Sequence, residues 1–344
     1  MAKVNWAKTA SKTSAAKGKK TKKEKKKFSQ LTPAERKKKL LKIGAEVLAV
    51  ILVLAIGVGF GVSQILKAMN TDESGRTANP ALDAENLFHD KDVLNVLIVG
   101  VDGRKSDGNG LSDVMMLVSI NKKQKTTTMV SFLRDTWVDI PGYKTAKMNA
   151  AGSHGGPSLV MDTIEHNFRV KVDHYVLVTF EAFRKVVDAV GGVSVPIKAN
   201  EAKEINRYAK KKEPAKNINV AAGDDVLLNG EEALYFVRVR KQDTDWQRTN
   251  RQQILLKAIV EKAKANPTKV LGALQGMLSE MKTDMTGTDV GRAALLAPNI
   301  MSYEIVNKQI PAENTWKYQS VGGQSVIMPD IPKNVQALKS WLYP

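Results

Sequence analysis

Twenty residues without a charge, Val47 to Leu66, constrain this chain more than any other feature. A helix rises about 1.5 Å per residue, so a run of this length matches the hydrocarbon core of a bilayer. Lys42 and Glu46 stand at one end and Lys67 at the other. A cleaved signal peptide is the competing reading. The charged 42-residue leader and the lack of a clear small-residue cleavage site argue against it. Nothing around the run would bury it as a core helix.

The flanks orient this span. Residues 1–42 hold 16 Lys/Arg against two Glu, a balance of +14 out of the chain's +18, so the other 302 residues carry only +4. The stretch after the span, Ala68 to Asp90, is mixed and slightly acidic. Lys/Arg excess marks the cytoplasmic side. The expected layout is therefore a basic, disordered cytoplasmic tail (1–42), a transmembrane helix (47–66), a linker (67–90) and an extracellular domain (91–344). The tail can be read as a nucleic-acid arm or as a partner for anionic lipid headgroups. Only two aromatics, Trp6 and Phe28, accompany its 16 Lys/Arg, too few for base stacking along the tail, which favours membrane lipid and topology; no nucleic acid is expected. With no cysteine, disulfides, zinc–thiolate sites and thiol nucleophiles are excluded.

The outer part opens on Val93–Val99, a short apolar run that ends at Gly100 and has the pattern of a buried strand. Val114–Ile120 and Thr126–Leu133 read as a hairpin across the polar turn 121–125. A helix is expected from Ser158 to Phe168, with Pro157 in its first turn. Further strands are expected at Tyr175–Phe180 and Val193–Val195, and further helices at 181–190, 230–239, 245–264, 270–281, 290–306 and 335–342. Residues 198–226 show no period and read as a long loop, and Trp316–Val321 as a last strand. Strands alternating with helices indicate one layered α/β domain around a mixed sheet.

Charge chemistry concentrates in one short stretch, where Arg238, Arg240, Arg248 and Arg251 account for four of the eleven arginines beyond the tail. Arginine suits planar, bidentate contact with phosphate or carboxylate. Asp245 is placed to cap a helix, and Arg248, Arg251 and Gln252 then stand at i, i+3 and i+4 on one face. A polyphosphate among the guanidiniums and a net of salt bridges to Asp243, Asp245, Glu231 and Glu232 both fit this spacing.

Other constellations are equally two-sided. Asp102, at the end of the first strand, and Asp113, opening the second, can converge as oxygen ligands for Mg²⁺ completed by a phosphate. They also fit a turn former and a strand cap. Arg134-Asp135 leaves the third strand as a local ion pair or as part of a site. Lys147 and Asn149 add a cation and an amide, or form an ordinary loop. His154, His166 and His174 lack metal-ligand spacing, and no Walker, dinucleotide or nucleophile-elbow motif is present.

Taken in order, these pieces resemble the LytR-CpsA-Psr family of cell-wall glycopolymer ligases. The resemblance runs from about Leu94 to Lys264. It is carried by Asn95-Val-Leu-Ile-Val-Gly-Val-Asp102-Gly-Arg104, Ser112-Asp113-Val-Met-Met-Leu, Val130-Ser-Phe-Leu-Arg134-Asp135-Thr136 and Lys147-Met-Asn149-Ala-Ala. Asp173-His-Tyr-Val, Asp188-Ala-Val-Gly-Gly-Val, Leu228-Asn-Gly-Glu-Glu-Ala-Leu and the run from Arg238 to Gln253 complete it. Departures are small: the family often has Thr-Asp-Ser-Arg where Val101-Asp-Gly-Arg104 stands here, and often proline at Leu133.

The resemblance implies a three-layer α-β-α domain outside a Gram-positive membrane. It implies transfer of a polyprenyl-pyrophosphate-linked glycopolymer, teichoic acid or capsular polysaccharide, to peptidoglycan through a phosphodiester. Asp102 and Asp113 would hold Mg²⁺, or Mn²⁺ in its place. Arg104, Arg134, Arg238, Arg240, Arg248 and Arg251 would grip the pyrophosphate, assisted by Lys147, Asn149 and Gln252. Asp135 would act as a base or orient an arginine. Phosphoryl transfer needs positioning and charge stabilisation more than a covalent apparatus, which agrees with a site built of arginines and carboxylates. A pyrophosphatase using the same site and a membrane-anchored transcriptional attenuator are the rival readings.

Overall fold

The structure, a computed structural model, describes residues 70–71, 86–101, 111–212, 218–239, 245–265, 281–300 and 302–344, all within the unit Gly59–Pro344. The expected membrane span, most of the linker and nearly all of the helix expected over 270–281 lie outside these residues. Among the described residues, no helix is long and apolar enough to cross a membrane.

The described chain opens with β1 (Asn70–Thr71) and continues through β2 (Val93–Val101), β3 (Ser112–Asn121) and β4 (Thr126–Phe132). Two short strands, β5 (Trp137–Val138) and β6 (Ala146–Lys147), precede helix α1 (Ala150–Phe168). Strand β7 (His174–Thr179) leads into α2 (Phe180–Ala189), β8 (Val193–Ile197), α3 (Ala199–Lys212), β9 (Gly223–Leu228), α4 (Gly230–Arg238) and α5 (Asp245–Ala265). Then come β10 (Met281–Thr283), α6 (Gly287–Ile300), β11 (Glu304–Ile310), the pair β12 (Trp316–Val321) and β13 (Gln324–Pro329), and α7 (Ile331–Leu342).

The central sheet has the strand order β1-β10-β7-β2-β3-β4-β11. It is mixed, as the alternating pattern predicts. β2 runs parallel to β7 and antiparallel to β3, and β4 is antiparallel to β3 and parallel to β11. The β3–β4 hairpin turns at Lys125, whose φ is 56°.

Period-2 alternation sorts the central strands into two faces. Leu97, Val99 and Val101 of β2, Met115 and Leu117 of β3, and Val130 and Phe132 of β4 enter one core with α1 and α7. Phe132 meets Phe168 of α1 with ring centroids 5.3 Å apart. Each such fully buried side chain stabilises the fold by about 1.5–3 kcal/mol. The opposite residues of β2, Leu94, Val96 and Ile98, are apolar too but remain partly accessible.

On that second face the chain builds a separate core from β8, β9 and helices α2 to α5, around Val195, Ile205, Tyr235, Phe236 and Leu255. Helices thus lie on both faces of the sheet. Gln253 of α5 pins this assembly to the sheet, its Nε2 donating to Ser131 Oγ at 3.0 Å and to the Lys308 carbonyl at 2.9 Å.

Three expectations are corrected. In place of the loop expected over 198–226, residues 199–212 form α3 and Gly223–Leu228 forms β9. The buried stripe of the helix, Ala202, Ile205 and Ala209, is narrow and mostly alanine, so the lysines around it hide the period. The helix expected over 290–306 stops at Ile300, and Glu304–Ile310 instead adds β11 to the sheet edge beside β4. The expected α1 gains an earlier turn, Ala150–His154. Gly155 and Gly156 break it from the part that begins at Pro157, with Gly156 at φ 62°.

Candidate functional site

Between the second face of the sheet and the helices covering it lies an apolar cavity of about 680 Å³. The sheet contributes Val96, Ile98, Met116, Val118 and Val176, while α2, α4 and α5 contribute Phe183, Leu234, Leu256 and Ile259. A well-packed interior leaves few voids larger than a water molecule. An open apolar volume of this size is a candidate ligand slot.

Polar groups gather at the two ends of the cavity. At one end His174 Nδ1 lies 3.5 Å from Asp284 Oδ1, which also accepts from Tyr175 N at 2.8 Å. The Asp284 carboxylate beside it raises the His174 pKa above its ordinary value, against the opposing effect of burial. At the other end are Gly100, Thr179 and Gln252. Gly100 sits at a register shift of β2, where an added Cβ would come within 2.9 Å of Val114 Cβ. Glycine is required for this close approach of β2 and β3.

Val114, Phe180, Val237 and Gln252 belong both to this cavity and to a second one of about 400 Å³. The second cavity is lined by Asp113, Arg134, Arg238, Arg248 and Lys212, with Tyr208 and Leu111. Four cationic side chains face one carboxylate among its described lining residues, so its potential favours a multiply charged anion.

Each charged group has a definite support. Asp113 is the second residue of β3. Arg134 follows β4, where Leu133 N continues the pairing by donating to the Ile310 carbonyl at 2.8 Å. The Arg134 guanidinium donates to Asp113 Oδ1 at 3.0 Å, and its Nε lies 3.7 Å from Asp135 Oδ2. Lys147 Nζ reaches Asp135 Oδ1 at 2.9 Å. Asn149 contributes through its backbone. Its N–H donates to the Arg134 carbonyl at 3.1 Å and its carbonyl accepts from Ser112 N at 3.3 Å. Those two bonds tie the start of α1 to both strand ends.

Arg238 ends α4 with its guanidinium 4.6 Å from the centroid of the Phe180 ring. The start of α4 is fixed by a capping box. Asn229 Oδ1 accepts from Glu232 N at 2.9 Å, and Glu232 Oε2 accepts from Asn229 N at 3.0 Å. Gly230 N donates to Asp188 Oδ1 at 2.7 Å, and a Cβ at Gly230 would lie 2.3 Å from the Arg184 carbonyl oxygen. Arg248 and Gln252 stand one turn apart near the start of α5, and Arg248 is 6% exposed.

Arg251 is placed differently from its expected role. Its guanidinium donates to the Val239 carbonyl at 2.8 Å and to Glu201 Oε1 at 3.4 Å, and lies 5.9 Å from the centroid of the Phe236 ring. An i+3 residue is turned about 100° from its i+4 neighbour, so Gln252 faces the cavity while Arg251 braces α5 against α3. Arg251 is thus held by an ion pair with Glu201, while Arg248 lines the arginine cavity. Asp102, Arg104 and Arg240 lie outside the described residues. Tyr208 and Lys212 line the cavity without having been expected there; their i, i+4 spacing has meaning only once α3 is a helix.

Among the described residues, no group of three or more His, Asp or Glu side chains is placed to hold a metal ion. Asp113 does present a hard carboxylate to the cavity, with its side chain 26% exposed. A carboxylate has about four lone-pair sites, so one that accepts from Arg134 can also serve an ion that a phosphate helps to coordinate. This donor set suits Mg²⁺ better than a soft metal.

The chain is similar to proteins of one family. The model of the LytR_cpsA_psr family matches residues 58–339. The polyisoprenyl-teichoic acid–peptidoglycan teichoic acid transferase TagU of Enterococcus faecalis is 32% identical over 270 residues, covering 74% of this chain and 82% of that protein. The structure of TagT bound to LI-WTA matches with a TM-score of 0.62 and 30% identity, covering 76% of this chain and 94% of that one. The structure of TagT with bound octaprenyl pyrophosphate lipid matches with a TM-score of 0.60 and 28% identity, covering 76% and 95%.

Proposed function

This chain belongs to the LytR_cpsA_psr family, and from that premise we propose that it transfers a glycopolymer from polyprenyl pyrophosphate to peptidoglycan. One observation carries the reading: the apolar cavity adjoins the arginine-lined cavity, the two sharing wall residues Val114, Phe180, Val237 and Gln252. A ligand with a long apolar tail and a polyanionic head has the matching shape and chemistry. The names of the relatives supply the polymer class, a teichoic acid, and the acceptor.

In this proposal the polyprenyl chain lies along β2, β3 and β7, and the pyrophosphate sits among Arg134, Arg238 and Arg248, with Lys212 and Gln252 beside it. Arg104 and Arg240 would join them from the segments outside the described residues. An acceptor hydroxyl oxygen attacks the phosphorus that carries the glycopolymer. A new P–O bond forms, the bridging P–O bond breaks, and polyprenyl phosphate leaves with the bond's electron pair. The hydroxyl proton passes to Asp135, which also holds Arg134 and Lys147 in place. Arginines pre-aimed at the transferring group need little reorganisation as charge develops on it. Mg²⁺ held by Asp113, with Asp102, would neutralise part of the pyrophosphate charge.

The layout expected from the sequence completes the reading, with the span 47–66 anchoring the catalytic domain outside the cell. The test supplies the full chain in vesicles with lipid-linked polymer, with and without peptidoglycan fragments. Polymer joined to peptidoglycan and stoichiometric polyprenyl phosphate are expected. Phosphate release that ignores the acceptor would show a pyrophosphatase instead. Dependence of transfer on added Mg²⁺ after chelation checks the metal.

A further inference from the structure

We infer that the groove between the β12–β13 hairpin and the Asp135–Lys147 pair seats the saccharide acceptor of the transfer. This rests on the function proposed above and says where its second substrate binds. The groove has a volume of about 440 Å³ and is lined by Asp135, Lys147, Tyr318, Gln324, Ser325 and Ile327.

Position is the first argument. The apolar cavity and the arginine cavity share four wall residues, and the groove shares none of its lining with either. It meets the arginine cavity at Asp135, whose carboxylate is 3.7 Å from Arg134 Nε. The groove therefore lies on a flank of Arg134 that the apolar cavity does not reach. In-line displacement brings the incoming hydroxyl to the side of phosphorus away from the leaving group. With the leaving polyprenyl phosphate directed toward the apolar cavity, the hairpin side offers the acceptor an approach away from it.

The chemistry of the groove is the second argument. A sugar ring offers an apolar C–H face and a rim of hydroxyls. Tyr318 is 56% exposed, and its ring meets Trp316 edge-on with centroids 4.9 Å apart. Such an aromatic presents a flat apolar body with a polar tip. Gln324 and Ser325 add neutral donors and acceptors, which fits a hydroxyl-rich partner better than an anion. The hairpin is also held at a defined distance from the chemistry: Ile327 N donates to the Asp135 carbonyl at 3.0 Å, and Thr136 bridges to Ile327. A saccharide resting on Tyr318 is thereby tied through one backbone link to the residue proposed to take its proton.

The experiment uses the full chain in vesicles and uncrosslinked peptidoglycan glycan fragments as the probe. Tyr318→Ala removes the platform, and Ser325→Trp fills the groove from an exposed position. Loss of one aromatic stacking surface should raise the acceptor KM about tenfold. Affinity for polyprenyl pyrophosphate and kcat at saturating acceptor should stay at the wild-type level. An unchanged acceptor KM in both variants overturns the inference while leaving the transferase reading intact. Equal loss of donor affinity overturns it too, because the hairpin would then act through the fold. Direct titration separates the two claims: glycan fragments should saturate the wild-type chain, detected through Trp316 fluorescence, and absence of saturable binding overturns the groove whether or not transfer occurs.

Discussion

Replacing Arg134 by alanine should remove most of the transfer activity and little of the stability. The Arg134 guanidinium reaches carboxylates from two segments, Asp113 at 3.0 Å and Asp135 at 3.7 Å, and also lines the arginine cavity. Loss of one preorganised donor to developing charge costs about 10²–10³ in kcat, or about 2.7–4 kcal/mol. The structural loss is smaller. The side chains of Arg134 and Asp113 are 18% and 26% exposed, so water screens the pair only in part, but Asp135 keeps Lys147. Removing one partner of such a partly screened pair costs about 1–2 kcal/mol, a Tm shift of about 2–8 °C in a domain of this size. Arg134→Lys keeps the charge but not the fork, and should recover only part of the rate. The assay compares single-turnover transfer with thermal unfolding of the same preparation. Activity within about threefold of wild type, where about a hundredfold loss is required, would refute the reasoning. So would a fall in activity that merely tracks the unfolded fraction.

Three other outcomes are expected. Ile98→Trp places a large side chain into the apolar cavity and should weaken polyprenyl pyrophosphate binding measured by lipid titration, while binding of free pyrophosphate is retained. Arg251→Ala removes a 3%-exposed side chain bonded to Val239 and Glu201. It should cost about 1–3 kcal/mol of stability in chemical denaturation, with near-normal activity per folded molecule, the reverse of Arg134→Ala. His174 gains a partner in Asp284, so its folded pKa lies above its unfolded value. Its contribution is fully present below the unfolded pKa and is lost as pH rises through the higher folded one. The stability difference between wild type and His174→Ala, followed by Tm, should therefore be largest in mild acid and shrink as the solution becomes alkaline.

The strands of the central sheet were legible because β2, β3 and β4 are apolar runs with polar turns between them. The cavity was not. Leu94, Val96 and Ile98 read as core residues, since a run apolar on both faces does not tell whether the facing layer is filled. Helix α3 stayed hidden because two of its three buried positions are alanine. Spacing alone grouped Arg251 with Arg248 and Gln252, and only the partner Glu201, about fifty residues away and on a helix read as a loop, separates them. Several strings behind the family resemblance turn out to serve the fold. Asp188 and Asn229-Gly230 fix the start of α4, and Asp173 Oδ2 accepts from Asn95 N at 2.8 Å. They shape the site at a distance, which is why the ordered set of motifs pointed to the right family while single motifs did not separate chemistry from scaffolding.

The central claim is that the two adjoining cavities hold one polyprenyl pyrophosphate, tail in the sheet-backed slot and head among the arginines. Photo-crosslinking tests it most directly: the full chain in vesicles is irradiated with a polyprenyl pyrophosphate bearing a photoreactive group in its tail, and the labelled peptides are mapped by mass spectrometry. Labels are predicted on β2, β3 and α5, around Ile98, Met116 and Leu256, and should disappear when unlabelled lipid competes. Labels confined to other surfaces, or labelling of this slot that unlabelled polyprenyl pyrophosphate does not displace, would contradict the account.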